Sequence, residues 1–411
     1  MNRVVVTGLG AITPLGNDIL SFWEGLMAGR CAIGPITKFD TSEHKAKLAA
    51  EVKNFDPREY MDKAELSRSD LYTQYAVAAA CQAVADSEIA GKVAHERFGV
   101  YMGTGIGGIS TFIVDHTKLI EKGPRRVSQP FVPMMIANIA SGVIAIRFSC
   151  QGPNMPAVTA CASGANAIGE AARLIRHGYA DAMIAGGSEA PINPLSVAGF
   201  ANMQALSTAE DPATACLPFD ARRTGFVMGE GAAAVVLEEY NHARKRGAKI
   251  YAELAGYGCT CDAYHITAPE PSSEPAARAI MQALGEAGCA PDDKIYINAH
   301  GTGTPYNDKA ETQAIKKALG EEIAKNTPVS STKSMTGHML GAAGAAEAVA
   351  TVLALKNEVI PPTIGLTCPD PECDLDYVPL VKREYNFNLG LSISLGFGGH
   401  NVCLAFRKIE S

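Results

Sequence analysis

Short apolar runs that stop abruptly on glycine punctuate the chain from end to end. Val4-Val5-Val6 runs into Thr7-Gly8-Leu9-Gly10, Phe98-Gly99-Val100-Tyr101-Met102 into Gly103-Thr104-Gly105, and Ala182-Met183-Ile184-Ala185 into Gly186-Gly187. Ile295-Tyr296-Ile297 meets Asn298-Ala299-His300-Gly301, and Leu391-Ser392-Ile393-Ser394-Leu395 meets Gly396-Phe397-Gly398-Gly399. Continuous apolar runs of this length, ended by glycine turns, read as strands buried on both faces. Ala-rich stretches at Tyr75–Ala85, Ala162–Arg176 and Gly341–Leu355 read as the helices between them. The expected class is α/β. Pro361-Pro362 and Pro369–Pro371 mark loops, not a domain boundary.

The pattern occurs twice. In the first half a strand ends in Gly103-Thr104-Gly105, and later Ala157–Ala160 delivers Cys161 to the start of a helix. In the second half a strand ends in Gly301-Thr302-Gly303, and later Val329–Thr332 precedes His338 and the helix near Gly341. Gly103 and Cys161 are 58 positions apart, Gly301 and His338 37, so the first half carries about 21 more residues. The polar and proline-rich stretch between Ile109 and Pro133 accommodates them. Each half also closes on a glycine turn and an apolar strand, at Gly229–Leu237 and Gly396–Phe406. Duplicated α/β halves bring matching loops to one shared centre.

Composition excludes several classes. With 411 residues, 47% of them hydrophobic, the chain can bury a large core without disulfides. A net charge of −7 argues against a nucleic-acid-binding surface. No apolar stretch is long enough for a membrane helix. Met1-Asn2-Arg3 runs straight into the first strand and leaves no room for a signal peptide. Eleven cysteines, odd in number and without framework spacing, suit reduced thiols in a cytoplasm.

Cys161 is the sharpest chemical candidate. It joins a strand to a helix whose face is small (Ala162, Gly164, Ala165, Ala167, Ala171). There it is expected to meet free backbone N–H groups and a positive helix end, which lower a thiol pKa. The bland alternative is a small buried hydrophobe. His300 and His338 follow strands in Gly/Ser/Thr loops of the second half, where the repeat points both at Cys161. Zinc on these three is weighed and set aside: no paired spacing accompanies them, and Cys259-x-Cys261 is too tight. No metal is expected. Gly103–Gly108 satisfies G-x-G-x-x-G, but the acidic Glu121 that a dinucleotide site needs has no strand to carry it. Gly186–Ala190 resembles a serine-hydrolase elbow, with Pro191 and Pro194 where its helix belongs.

Five segments together are very specific: Val4–Gly16 (VVVTGLGAITPLG), Thr159–Gly164 (TACASG), Asn298–Pro305 (NAHGTGTP), Ser331–Gly344 (STKSMTGHMLGAAG) and Gly396–Asn401 (GFGGHN). On these, and over essentially its whole length, the chain resembles the β-ketoacyl-acyl-carrier-protein synthases, most closely the elongating type II enzymes of bacterial fatty-acid synthesis. The resemblance implies a five-layered α-β-α-β-α thiolase-like fold of two duplicated halves. Residues 1–250 would carry the nucleophile and an inserted cap and dimer segment, and residues 251–411 both histidines. It implies a decarboxylating Claisen condensation of an acyl group with malonyl-acyl-carrier protein; a polyketide ketosynthase with the same triad is the alternative. Cys161 looks like the nucleophile, His300 and His338 like the pair acting on the malonyl thioester, and Lys333 and Glu347 like their charged network. The backbone N–H groups of Cys161 and Phe397 would form the oxyanion hole. Thr302, Thr304, Asp262 and Thr267 look like the pantetheine tunnel. Phe397 resembles the gate, with Ile106 and Phe200 lining the acyl pocket and Phe131 reaching in from a partner subunit of a homodimer. Gln204 stands where some relatives carry an arginine that meets carrier protein. Lys63 with Arg68, and Arg125 with Arg126, are the basic clusters expected to receive acyl-carrier protein. No cofactor is expected beyond the phosphopantetheine that the carrier protein brings. Neither acyl length nor a monovalent cation near Asn298 and Glu347 is legible in these motifs. The turn at Gly396–Gly399 lacks the second cysteine a thiolase uses, which favours a synthase.

Overall fold

A computed structural model describes residues 1–409. Its main sheet has ten strands. The first half supplies β1 (Val4–Ile12), β2 (Phe98–Gly103), β3 (Asn154–Ala157), β4 (Ala182–Glu189) and β5 (Gly231–Glu239). The second supplies β6 (Ala252–Cys261), β7 (Ile295–Asn298), β8 (Val329–Ser330), β9 (Leu389–Gly396) and β10 (His400–Arg407). Across the sheet the order is β8-β7-β9-β10-β6-β1-β5-β4-β2-β3. Each half therefore repeats the other strand for strand. The first strand of each pairs antiparallel with the fifth and the fifth antiparallel with the fourth. The fourth pairs parallel with the second, and the second with the third. The two leaves join edge to edge only through Val5↔Glu253 and Val6↔Ala252.

The layers are built by α1 (Leu71–Ser87), with the helix Ile139–Phe148 beside it, α3 (Ser163–Arg176), α4 (Glu274–Glu286), α5 (Pro305–Leu319) and α6 (Ala343–Asn357). Helix α2 (Ile109–Lys122) packs on the turn Pro124–Arg126 and the helix Phe131–Met135 rather than on the sheet. Helix α1 covers the outer face of the first leaf; α4 covers that of the second, with α5 against it. Helices α3 and α6 lie between the leaves and touch strands of both. The result is the layered α-β-α-β-α arrangement of two duplicated halves that the resemblance implies. Helix α6 is buried from Ala343 to Leu355, as a helix apolar all round must be. Where α3 and α6 cross, a Cβ on Gly164 would sit 2.9 Å from the Gly341 carbonyl oxygen, so only glycine admits this approach.

The two middle helices start later than the apolar pattern predicts. Ala160–Ala162 and Leu340–Ala342 each form a single 3₁₀ turn first. Ala160 (φ +50°) and Leu340 (φ +45°) both take the left-handed conformation, at matching places. This corrects the register of the repeat: the counterpart of Cys161 is Gly341, and His338 lies three residues before it. The extra residues of the first half form α2, the turn Pro124–Arg126 and the short helix Phe131–Met135. No helix among the described residues is long and apolar enough to cross a membrane.

Candidate active site

Cys161 occupies the middle of the 3₁₀ turn between β3 and α3. The Ser163 hydroxyl holds that turn, donating to the Ala160 carbonyl oxygen (2.6 Å) and accepting from the Thr159 N–H (2.9 Å). His300 follows β7, and the Glu311 carboxylate on α5 accepts the backbone N–H groups of His300 (2.6 Å) and Gly301 (2.7 Å). His338 is fixed by a backbone bridge, its N–H donating to the Val227 carbonyl oxygen at 2.7 Å. These three elements bring the ligating atoms of Cys161, His300 and His338 within 4.8 Å of one another, all buried. The imidazoles meet edge to face, centroids 5.2 Å apart.

Behind them Lys333, buried, has its Nζ 3.3 Å from His300 Nδ1 and forms an ion pair with Glu347. A donor on Nδ1 leaves the His300 proton on Nε2. Burial, and then the Lys333 charge, drive both imidazoles well below the usual histidine range, so both are neutral. Burial raises the Glu347 carboxyl while Lys333 pulls it down. The thiol departs from expectation: burial pushes Cys161 up to about 12, against the pull of Lys333 and the Phe397 N–H. A helix end is worth ~1 kcal/mol, whereas full desolvation moves a pKa by ~3–5 units, so burial wins. The Lys333 ammonium also opposes a divalent ion at the Cys–His–His cluster.

Cys161 and both histidines open into a cavity of about 880 Å³. Thr302, Thr304, Asp262, Thr267, Phe200 and Phe397 line it, with Gln204 and Phe226. The two threonine hydroxyls meet at 2.9 Å, and Asn401 holds the Asp262 carboxylate at 2.7 Å. Ile106 does not line this cavity; like Phe200, it packs against the apolar cluster that contains Cys161. Phe131 does not line it either. Lys63, Arg68, Arg125 and Arg126 are exposed, and none forms an ion pair among the described residues.

Both competing motifs are resolved by their partners. The Gly105 and Ile106 N–H groups, which would have to cradle a phosphate, donate to Glu189 (2.6 and 3.1 Å). Ser188 is buried within β4, its hydroxyl donating to the Tyr72 carbonyl oxygen at 2.6 Å. Glu311, Glu189 and Phe226, whose ring meets His338 edge-on at 5.0 Å, carry no motif and escaped the sequence reading. An acidic residue closing an otherwise apolar strand, as Glu189 does, was the available signal. Asn298, Glu347, Ser392 and Ser394 each bury a polar side-chain atom without a partner. Asn298 faces Ser392 across β7 and β9, and this oxygen-rich set fits a monovalent cation.

A model of the β-ketoacyl synthase N-terminal domain matches residues 1–243, and one of its C-terminal domain residues 251–367. The chain belongs to the β-ketoacyl synthase family. As such it is a condensing acyltransferase. A 3-oxoacyl-[acyl-carrier-protein] synthase 2 of Synechocystis is 55% identical to this synthase over 410 residues, covering 99% of this chain and 98% of the relative. That of Staphylococcus aureus is 50% identical over 410 residues, 100% of this chain and 99% of its own. Among solved structures, a β-ketoacyl synthase from Burkholderia phymatum superposes with a TM-score of 0.93 at 37% identity, covering 100% of both chains. A type II polyketide ketosynthase in complex with its acyl-carrier protein gives 0.91 at 35% identity, covering 99% of this chain and 100% of that one.

Proposed function

We propose that this synthase joins an acyl group held on Cys161 to malonyl-acyl-carrier protein, giving 3-oxoacyl-acyl-carrier protein and CO2 in fatty-acid elongation. The cluster of one thiol and two neutral imidazoles at the floor of the cavity carries the reading. The Cys161 sulfur attacks the acyl thioester, and its proton leaves with the departing pantetheine thiol. Because the resting thiol is protonated, attack and proton transfer go together. Backbone N–H groups of Cys161 and Phe397 hold the oxyanion. Malonyl then loses CO2, and the electron pair of the broken C–C bond forms an enolate. Two buried, preorganised imidazole N–H groups stabilise its oxygen. The enolate carbon attacks the acyl carbonyl, and the tetrahedral adduct collapses by expelling the Cys161 sulfur as a thiolate, which takes a proton from solvent to restore the resting thiol. A monovalent cation at Asn298, Glu347 and Ser392 would add fixed positive charge behind Lys333.

Thr302, Thr304, Asp262 and Thr267 would guide the phosphopantetheine arm, with acyl-carrier protein docked on Lys63, Arg68, Arg125 and Arg126. A homodimer is supported by the open edge of β3, where Met155 and Val158 are exposed, and by exposed Ile146 and Val132 beside Phe131. Eleven free cysteines suit the cytoplasm. The fatty-acid relatives stand at 50–55% identity and the polyketide ketosynthase at 35%, which favours the fatty-acid pathway. Intact-mass analysis after mixing with acyl-acyl-carrier protein tests the proposal: one acyl group should appear on the enzyme and none on Cys161→Ala. A Cys161→Ala protein that still condenses would sink it.

A further inference from the structure

Glu189 ends β4 as Gly396 ends β9: Glu189 pairs with Gly231 where Gly396 pairs with His400. After Gly396 comes the Phe397 N–H, which faces the Cys161 thiol. At the duplicated place Glu189 instead inserts a carboxylate, which accepts the Gly341 N–H at 2.9 Å, Gly341 being the counterpart of Cys161. The same carboxylate accepts from the N–H of Gly105 (2.6 Å), the N–H of Ile106 (3.1 Å) and the hydroxyl of Thr104 (2.9 Å). It is fully buried, and every partner is a donor. A carboxyl group satisfied by donors alone is a rigid clamp. The turns it joins touch backbone to backbone, since a Cβ on Gly341 would lie 2.3 Å from the Gly105 nitrogen. The centre in the second half is thus filled by the protein's own carboxylate.

One of the clamped turns carries Ile106, which packs with Phe200 against the cluster containing Cys161 and Leu340. Ile106 lies outside the cavity that Cys161 opens into, and an acyl chain long enough to extend past the nucleophile into this cluster would have to displace it. We propose that Glu189 is a positioning residue for acyl-length selection, holding Ile106 in the path of long chains by its grip on the Thr104–Ile106 turn. This rests on the reading of Ile106 as a wall of the acyl pocket.

The test compares kcat/KM for a long and a short acyl donor on carrier protein, taken as a ratio so that a general loss of folded enzyme cancels. Glu189→Gln turns an amide N–H toward N–H donors and should raise the long-to-short ratio about tenfold, the worth of one charge-assisted hydrogen bond. Thr104→Val, which removes one donor to Glu189 and with it the acceptor of the Gly107 N–H, should move the ratio the same way by less and serves if Glu189→Gln does not fold. Ile106→Ala separates the two layers of the proposal. If it raises the ratio while Glu189→Gln and Thr104→Val leave it unchanged or lower it, the role of Glu189 is refuted and the pocket reading stands. If Ile106→Ala leaves the ratio unchanged, the pocket reading fails and the proposal with it.

Discussion

Replacing Lys333 by methionine separates its two duties, because the side chain is buried and both partners are known. Its ammonium pairs with Glu347 and sits 3.3 Å from His300 Nδ1. Removing one member of a buried ion pair costs about 3–5 kcal/mol when the other stays charged. Glu347 has an escape: burial already raises its pKa, Lys333 being what opposes this, so in Lys333→Met it takes up a proton. The unfolded carboxyl ionises near 4.5 while the folded one does not. A folded pKa above the unfolded value means that stability falls as pH rises between the two, by up to ~1.4 kcal/mol per unit. With Lys333 gone that window extends further up. The stability gap between wild type and Lys333→Met should therefore widen by about 1–3 kcal/mol from about pH 6 to about pH 8. Urea unfolding at the two pH values measures it. Loss of the Nδ1 donor also frees the His300 tautomer, and malonyl decarboxylation should fall ~10²–10³-fold, the cost of one preorganised donor. A gap independent of pH together with near-normal decarboxylation would refute the reasoning.

His300→Ala and His338→Ala should each lower condensation ~10²–10³-fold, with acyl transfer to Cys161 suffering less than decarboxylation; wild-type rates would remove the enolate role. Burial pushes Glu311 up to about 7 from an ordinary 4.5, so wild type should lose about 3 kcal/mol of stability as pH rises between those values. Glu311→Gln should lack that slope in urea titrations. Arg125→Glu with Arg126→Glu should raise KM for acyl-carrier protein, spare small acyl-thioester mimics, and matter less above ~0.1 M salt. Equal losses with both substrates would indicate a folding defect instead.

The strands were legible because those buried on both faces need no polar alternation, and Phe98–Met102 and Ala182–Ala185 show none; Leu391–Leu395 does alternate, but its Ser392 and Ser394 are buried as well. The duplication was legible through its glycine turns, but not its register. Ala160 and Leu340 take left-handed backbone without being glycine, and nothing in their residue type announces it. The Cys161 thiol was misjudged because the sequence shows a helix start but not how deeply it lies. Glu189 and Glu311 were missed for a related reason: they grip backbone amides, which every residue offers, so their partners leave no trace in composition.

The crossing of α3 and α6 has a consequence for how the enzyme fails. Nucleophile and histidines come from different repeats, yet the helices behind them are pressed together with no room for a methyl group at Gly164. Neither repeat owns its inner face; each supplies the other's. Released from its twin, one would expose the apolar wall that the other now covers. Melting therefore has no halfway house in which acyl transfer survives without decarboxylation, and both partial reactions should vanish along one curve.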